Sequence, residues 1–234
     1  MAQTSNGARY VIVMGPTGSG KNYFIWKASG QGEDRVQEEM ATPVDPPEGR
    51  ADRVPIECNH PIQGSGRPPV IFVDTAGFVD LQTSWLDSLF EPLNKDIKDN
   101  NGELAGIILL HQIAPNQIPL STIHRQLQTL QDLCGMDVMR NVVVATTMWD
   151  SGVSDNTARK RHADVQAALV DGTIKGGCKL EEFRGTKDSA WKSIDYLLNQ
   201  QPCTPILVQQ ETVVQQGTDQ VADIGCWKRL FPCC

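Results

Sequence analysis

The sequence lacks any apolar stretch long enough to cross a bilayer. Its longest apolar runs, at 106–110 and 142–145, fall well short of the roughly 20 residues that a membrane-spanning helix needs. Its first residues contain neither a basic region nor an apolar region, which predicts no signal peptide, and residue 2 is not the glycine that myristoylation requires. These absences predict a cytoplasmic protein.

Cysteine pairs with C-x-x-C spacing are also missing. The seven cysteines include no C-x-x-C pair, their number is odd, and the four histidines are not grouped with them. This pattern favours a reducing compartment over a disulfide framework, and it argues against a zinc site.

Positive charge is in short supply. The chain has 21 Lys and Arg residues against 28 Asp and Glu residues, for a net charge of -7. A nucleic acid needs a basic surface, so no nucleic-acid partner is expected. A single nucleotide can still bind, because one local loop is enough to supply its hydrogen-bond donors.

What the sequence does contain is an alternation of short apolar runs with amphipathic segments. This alternation predicts an α/β fold with a mostly parallel sheet and helices on both faces, in which ligands bind at the carboxyl ends of the strands. Strands are predicted at 10–14, 54–59, 70–73, 107–110, 142–145 and 180–183. Helices are predicted at 21–28, 84–98, 121–134, 156–169, 188–198 and 205–222, with a long loop over 30–55.

The segment from Gly15 to Asn22 has the spacing G-x-x-x-x-G-K and follows the first predicted strand directly. Glycines let the backbone N–H groups wrap around phosphate oxygens, and the Lys21 ammonium reaches the β- and γ-phosphates. The phosphate contacts are therefore expected from Gly15, Thr17, Gly18, Ser19, Gly20, Lys21 and Asn22. The last position usually holds Ser or Thr, whose hydroxyl binds Mg²⁺, so the Asn22 amide oxygen would take that role.

A second motif, D-x-x-G, begins at Asp74 and ends at Gly77, directly after the apolar run at 70–73. A carboxylate at a strand end beside a phosphate loop holds Mg²⁺, usually through water, so Asp74 is a predicted metal ligand. The N–H of Gly77 is predicted to approach a γ-phosphate. Phe78 follows, where some GTPases use Gln to orient the attacking water, so any hydrolysis is expected to be slow.

The third motif is the segment from Thr146 to Asp150, after the run at 142–145. The Asp150 carboxylate can accept hydrogen bonds from N1–H and the 2-amino group of guanine, which adenine does not offer. Thr147 is predicted to hydrogen-bond locally, and Met148 to cover the base. A weaker signal, Ser189-Ala190, lies near a strand-to-helix transition and predicts a base contact through backbone N–H groups.

In this order the motifs resemble the translation-factor-related (TRAFAC) GTPases. Within them they resemble the septin-like group, which contains the immunity-associated (GIMAP) GTPases and the chloroplast Toc receptors, and a related set of fungal P-loop proteins. The resemblance rests on Gly15–Asn22, Asp74–Phe78, Leu109–Ile113, Leu133–Gly135 and Thr146–Asp150.

The resemblance covers residues 8–200 and implies a three-layer P-loop NTPase fold, the G domain, with a mostly parallel six-stranded sheet and one antiparallel edge strand. It implies GTP/GDP and Mg²⁺ binding and a nucleotide-dependent homodimer. The switch threonine of such proteins has one counterpart by position, Thr42, the only threonine between residues 22 and 70.

Residues 201–234 are expected to form a C-terminal helix and a tail that ends in Cys233 and Cys234. The terminal pair resembles the prenylated tail of Rab-type GTPases, and S-acylation is the other lipid modification that fits. Lipidation would hold the protein on the cytoplasmic face of a membrane. The alternative is an unmodified tail with packed or redox-active thiols.

The sequence thus predicts a GTP-binding switch or assembly module that hydrolyses GTP slowly to GDP and phosphate, with Lys21 and Thr42 as catalytic residues. Three alternatives stay open. One is a catalytically impaired pseudoGTPase that serves as an interaction module, which Asn22 and Phe78 favour. The others are an ATP-dependent P-loop enzyme and a lipid-anchored scaffold.

Overall fold

The strands in the described part of the chain form one six-stranded sheet with the first of them near the centre. The computed structural model describes residues 7–30, 56–58, 67–77, 83–114, 119–170 and 177–203. The predictions that concern Thr42, Phe78, the helix at 205–222, Cys233 and Cys234 lie outside these residues.

The sheet has the spatial order β2-β3-β1-β4-β5-β6. The strands are β1 (Arg9–Met14), β2 (Ile56–Cys58), β3 (Val70–Asp74), β4 (Glu103–Gln112), β5 (Val142–Thr147) and β6 (Lys179–Glu182). All neighbouring pairs are parallel except β2 and β3, which pair antiparallel at the edge. This arrangement confirms the predicted fold class, including the antiparallel edge strand.

Each helix predicted within the described residues is present and begins and ends within one residue of its predicted bounds. The helices are α1 (Lys21–Ser29), α2 (Thr83–Asp99), α3 (Leu120–Cys134), α4 (Asp155–Val170) and α5 (Lys187–Leu198), with a 3₁₀ helix at Met136–Asn141. Within the described part of the chain, no helix combines the length and apolar character needed to span a membrane.

The side chains of β1, β3, β4 and β5 alternate between two apolar cores, one on each face of the sheet. On one face β1 and β4 pack against α2 and α3, through residues such as Ile12, Leu93 and Leu127. On the other face the same strands pack against α1 and α5, through residues such as Val13, Phe24 and Ile194. Burial of both faces explains why the strands read as continuous apolar runs rather than alternating ones.

β4 is longer than its predicted extent of 107–110. Gly106 lies inside it, and a Cβ at that position would meet the Asn141 carbonyl oxygen at 2.1 Å. The Asn141 amide donates to the carbonyls of Ala105 (2.8 Å) and Gln201 (2.9 Å), and the N–H of Cys203 donates to the Leu104 carbonyl (2.9 Å). The chain after α5 is therefore bound to the amino end of β4.

The register of the parallel strands places their carboxyl ends at one edge of the sheet. Asp74 of β3 lies opposite Val13 of β1, and Thr147 of β5 lies opposite Gln112 of β4. The loops that follow these strands carry the sequence motifs, so the fold brings the motifs together at this edge.

Candidate nucleotide-binding site

The phosphate loop connects β1 to α1 as a tight turn. Its last residue, Gly20, has φ 93°, a left-handed conformation that glycine adopts without strain. Within the described residues no side chain caps the start of α1, and its first turn contains no acidic residue. The N–H groups of that turn therefore suit an anion, which the helix dipole also favours.

Lys21 and Ser19 lie buried inside this loop. The Lys21 ammonium donates to the carbonyls of Gly15 (3.1 Å) and Pro16 (3.3 Å), so the cation is held against the loop. The Ser19 hydroxyl is buried and has no hydrogen-bond partner in the part of the chain that the structure describes. A buried cation, an unpartnered hydroxyl and an uncapped helix start are the groups that a phosphate chain would satisfy.

The D-x-x-G segment lies beside the phosphate loop. Thr75 fixes it there, because its hydroxyl donates to the Val13 carbonyl (3.0 Å) while its N–H donates to Asp74 Oδ1 (2.9 Å). A Cβ on Gly77 would lie 2.2 Å from Thr17 Oγ1 and 2.6 Å from Thr17 N, so only glycine permits this approach. The predicted γ-phosphate contact at Gly77 is thus next to the phosphate loop.

The end of β5 is joined to the same loop. The Thr147 hydroxyl donates to the Ser19 carbonyl at 2.8 Å. The sequence predicted a local partner for Thr147, whereas this partner lies in the phosphate loop. Met148 follows in a left-handed conformation with φ 65°, and its Cε lies 3.7 Å from the position of a Cβ on Gly20. Met148 is 36% exposed and presents an apolar surface beside the loop.

The last two residues of this segment differ in exposure, since Trp149 is buried and Asp150 is exposed. The Trp149 ring is buried with Ile113 and Ala158, and its Nε1–H donates to the Thr146 carbonyl at 3.0 Å. The buried indole therefore fixes the backbone from which the Asp150 carboxylate projects.

Ser189 and Ala190 do not lie where the sequence predicted a base contact. Both belong to the first turn of α5, where the Ser189 N–H donates to Thr186 Oγ1 (3.1 Å) and the Ala190 N–H donates to the Thr186 carbonyl (3.1 Å). Thr186 and Ser189 form a capping box, and the helix begins at Lys187, one residue before its predicted start. With their N–H groups used inside the helix, neither residue can donate to a base.

The loop that precedes Ser189 consists of residues 183–186, between β6 and α5. The N–H of Phe183 donates to the Thr146 carbonyl (2.9 Å), and the Ser189 hydroxyl accepts from the N–H groups of Arg184 (3.1 Å) and Thr186 (3.2 Å). Gly185 has φ 71°, and its N–H makes no hydrogen bond within the described residues. The sequence signal for this loop was the glycine before the T-x-x-S capping box.

Arg184 connects the loop after β6 to the loop after β5. Its guanidinium lies 3.6 Å above the Trp149 ring and donates from Nη2 to Glu182 Oε2 at 2.9 Å. His162 of α4 also contacts this region. Its Nδ1 lies 2.9 Å from Thr146 Oγ1, and its ring centroid lies 5.3 Å from that of Trp149. Burial lowers the pKa of His162, which opposes a second positive charge beside Arg184.

His111 lies at the end of β4 and is 3% exposed. Its Nε2 has no hydrogen-bond partner among the described residues. Burial lowers the pKa of this imidazole to about 4, so the ring is neutral near neutral pH. The histidine thus adds no positive charge at this strand end near neutral pH.

Asn22 and Asp74, the two predicted metal ligands, lie on separate elements that meet at this edge: Asn22 is exposed on the first turn of α1, and Asp74 is half-buried at the end of β3. Among the described residues no group of three or more His, Cys, Asp or Glu side chains is placed to hold a metal by itself. An amide and one carboxylate beside a phosphate loop are a donor set that suits Mg²⁺ bound partly by phosphate and water.

Together the sheet, the phosphate loop and the strand-end motifs define the fold of a P-loop GTPase. The chain matches no protein-family model, and no curated protein is detectably similar to it in sequence. Its similarity to solved structures supports the fold.

Three such structures illustrate the similarity. One shows the chloroplast translocon components atToc33 and psToc159, whose dimerisation is important for GTPase activity (12% identity, TM-score 0.57, covering 86% of this chain and 88% of that one). Another is Toc33 from Arabidopsis thaliana with GDP and Mg²⁺ (13%, 0.56, 87% and 90%). The third is elongation factor SelB from Methanococcus maripaludis with the GTP analogue GPPNHP (9%, 0.52, 85% and 36%).

Proposed function

We propose that this protein binds guanine nucleotide with Mg²⁺ and acts as a slow GTPase, in the role of a switch or an assembly module. The observation that carries the proposal is the hydrogen bond from Thr147 to the Ser19 carbonyl. It holds the segment that ends in Asp150 against the phosphate loop. One nucleotide can therefore contact Asp150 with its base and the loop with its phosphates at the same time.

Each group has a defined role in this proposal. The loop N–H groups, the Ser19 hydroxyl and the Lys21 ammonium bind phosphates. Asp150 accepts from guanine N1–H and the 2-amino group, and the Gly185 N–H replaces Ser189 and Ala190 as donor to the guanine carbonyl. Asn22 and Asp74 would hold Mg²⁺, which supplies charge neutralisation on the β- and γ-phosphates when bound.

The similar structures support the proposal by what they contain, since Toc33 holds GDP and Mg²⁺ and SelB holds a GTP analogue. A homodimer is proposed by the same analogy, because dimerisation is important for the GTPase activity of the Toc components. We assign the nucleotide function to residues 8–200. Membrane attachment through Cys233 and Cys234 stays a prediction.

Calorimetric titration with GDP, GTP and ADP in the presence of Mg²⁺ tests the proposal, on the wild type and on Asp150→Ala. Loss of two charge-assisted hydrogen bonds should weaken GDP binding about tenfold or more while ADP binding changes little. Asp99→Ala is the matched control, because Asp99 is an exposed aspartate at the end of α2, just before the amino end of β4. A wild type that binds ADP as tightly as GDP would refute guanine recognition.

A nucleotide-binding protein without turnover is the second candidate. Asn22 supports it, since an amide at the usual Ser or Thr position has a longer reach and changes the metal geometry. Phosphate release from GTP, measured for the wild type and Asn22→Ser, separates the two. A rise in Mg²⁺-dependent turnover in the variant means a weakened but intact GTPase, whereas binding without turnover in both proteins favours the pseudoGTPase.

A further inference from the structure

The two loops beside the proposed guanine-binding end of the site are joined by the side chains of Trp149 and Arg184. Trp149 belongs to the loop between β5 and α4, and Arg184 belongs to the loop between β6 and α5. The guanidinium lies 3.6 Å above the indole ring, a distance typical of a stacked cation–π contact.

The pair is held on both sides. The Trp149 indole N–H and the Phe183 backbone N–H donate to the same acceptor, the Thr146 carbonyl, at 3.0 and 2.9 Å. The Arg184 guanidinium is oriented by Glu182, at 2.9 Å, and lies 3.9 Å from Asp155 at the start of α4. Neither side chain can move without disturbing contacts of the other loop.

The neighbours of the pair in sequence are the groups that would read the base. Trp149 precedes Asp150, whose carboxylate is exposed, and Arg184 precedes Gly185, whose N–H makes no hydrogen bond within the described residues. We propose that the Trp149–Arg184 stack is a positioning pair that sets the separation of the Asp150 carboxylate and the Gly185 N–H, and so determines selectivity for guanine. This inference rests on the proposed nucleotide function.

The phosphate side of the site does not depend on this pair. The phosphate loop is joined to β5 by the hydrogen bond of Thr147 and to β3 by that of Thr75, and neither bond involves Trp149 or Arg184. Weakening the stack should therefore affect base selectivity and leave phosphate affinity intact. A residue that only stabilised the fold would change both together.

The test uses Arg184→Met, which keeps a long side chain but removes the planar cation. Binding of GDP, ADP and inorganic tripolyphosphate is measured by calorimetry with Mg²⁺. The ratio of GDP to ADP affinity should fall about tenfold, as for the loss of a well-placed polar contact, while tripolyphosphate affinity stays within about twofold of wild type. Arg184→Lys should resemble Arg184→Met, because an ammonium cannot stack as a guanidinium does.

Arg159→Met is the matched control. Arg159 is an exposed arginine of α4 that pairs with the same Asp155, at 2.7 Å, and it does not stack on Trp149. The Arg159→Met variant loses the same positive charge as Arg184→Met at a nearby position. Its ratio of GDP to ADP affinity should stay unchanged. In a double-mutant cycle, adding Arg184→Met to Trp149→Leu should lower selectivity no further than Trp149→Leu alone, because the ring on which the guanidinium stacks is already gone.

A second measurement needs no nucleotide. Hydrogen exchange of the backbone amides at 183–186 should be faster in Arg184→Met than in Arg159→Met. Unchanged selectivity in Arg184→Met, with wild type binding GDP selectively, overturns the positioning role alone. Absence of GDP binding in wild type would overturn the proposed nucleotide function instead. A parallel loss of tripolyphosphate affinity would show that Arg184 is merely structural.

Discussion

The Thr147 hydroxyl and the Ser19 carbonyl are joined by a 2.8 Å hydrogen bond between residues 128 positions apart in sequence. Ser19 lies in the phosphate loop, and Thr147 begins the segment that ends in Asp150. The bond therefore fixes the distance between the phosphate loop and the segment that ends in Asp150, the distance that one nucleotide would span in the proposed function.

Replacing Thr147 by Val removes the hydroxyl donor while keeping the side-chain shape. The buried Ser19 carbonyl then loses its partner, so the free energy of unfolding should fall by about 1–3 kcal/mol, and GDP affinity should fall as well. Urea denaturation and calorimetry measure the two effects. Thr129→Val is the control, because that exposed hydroxyl donates to the Arg125 carbonyl within α3 at 2.9 Å. Equal losses in both variants would contradict the special role of the Thr147 bond.

Ser189 and Ser193 offer a matched pair one turn apart on α5. The Ser189 hydroxyl accepts from two backbone N–H groups of residues 183–186, so Ser189→Ala should cost about 1–3 kcal/mol of stability and weaken GDP binding. The Ser193 hydroxyl is buried with no partner among the described residues, so Ser193→Ala should be neutral or stabilising. Thermal unfolding of both variants is the measurement. A more damaging Ser193→Ala would argue against this account of the loop.

His111 should make stability depend on pH. Burial lowers the pKa of the folded chain's His111 to about 4, against an ordinary value of 6.5, so only the unfolded chain binds this proton between those values. The neutral ring contributes its full stability above pH 6.5, and that contribution is lost as pH falls toward 4, by about 3 kcal/mol at most.

His111→Leu removes this proton linkage. The variant should gain stability relative to wild type as the pH is lowered from 7 to 5, because a leucine has no proton to bind. Urea denaturation at several pH values measures the difference. If the free energies of unfolding of the two proteins change by the same amount over this pH range, His111 does not titrate as its burial requires.

Much of the fold was readable from the sequence because each element satisfies a local rule. The apolar runs of β1 and β5 are buried on both faces, and the helices combine apolar spacing with clear ends, as at Gly135 after α3. β4 was underestimated because its ends contain residues that are not apolar, such as Glu103 and Gln112. Their inclusion depends on pairing with neighbouring strands, which periodicity does not encode.

The site was partly readable for a related reason. The phosphate loop and D-x-x-G are each a continuous run of residues that can be recognised in the sequence, and the structure brings both to the carboxyl edge of the sheet. Ser189 and Ala190 were misplaced because the Thr186 capping box sets where α5 begins, and that box changes which N–H groups are available. The stack of Trp149 on Arg184 joins two separate loops, so only the tertiary fold reveals it.

The anchoring of the chain after α5 has a consequence for how this domain can be used. Asn141 and Leu104 hold residues 201 and 203 at the amino end of β4, whereas the nucleotide loops follow the carboxyl ends of the strands. A molecule bound at residues 201–203 and a nucleotide at the phosphate loop would therefore lie at opposite ends of β4, and β4 connects the two positions.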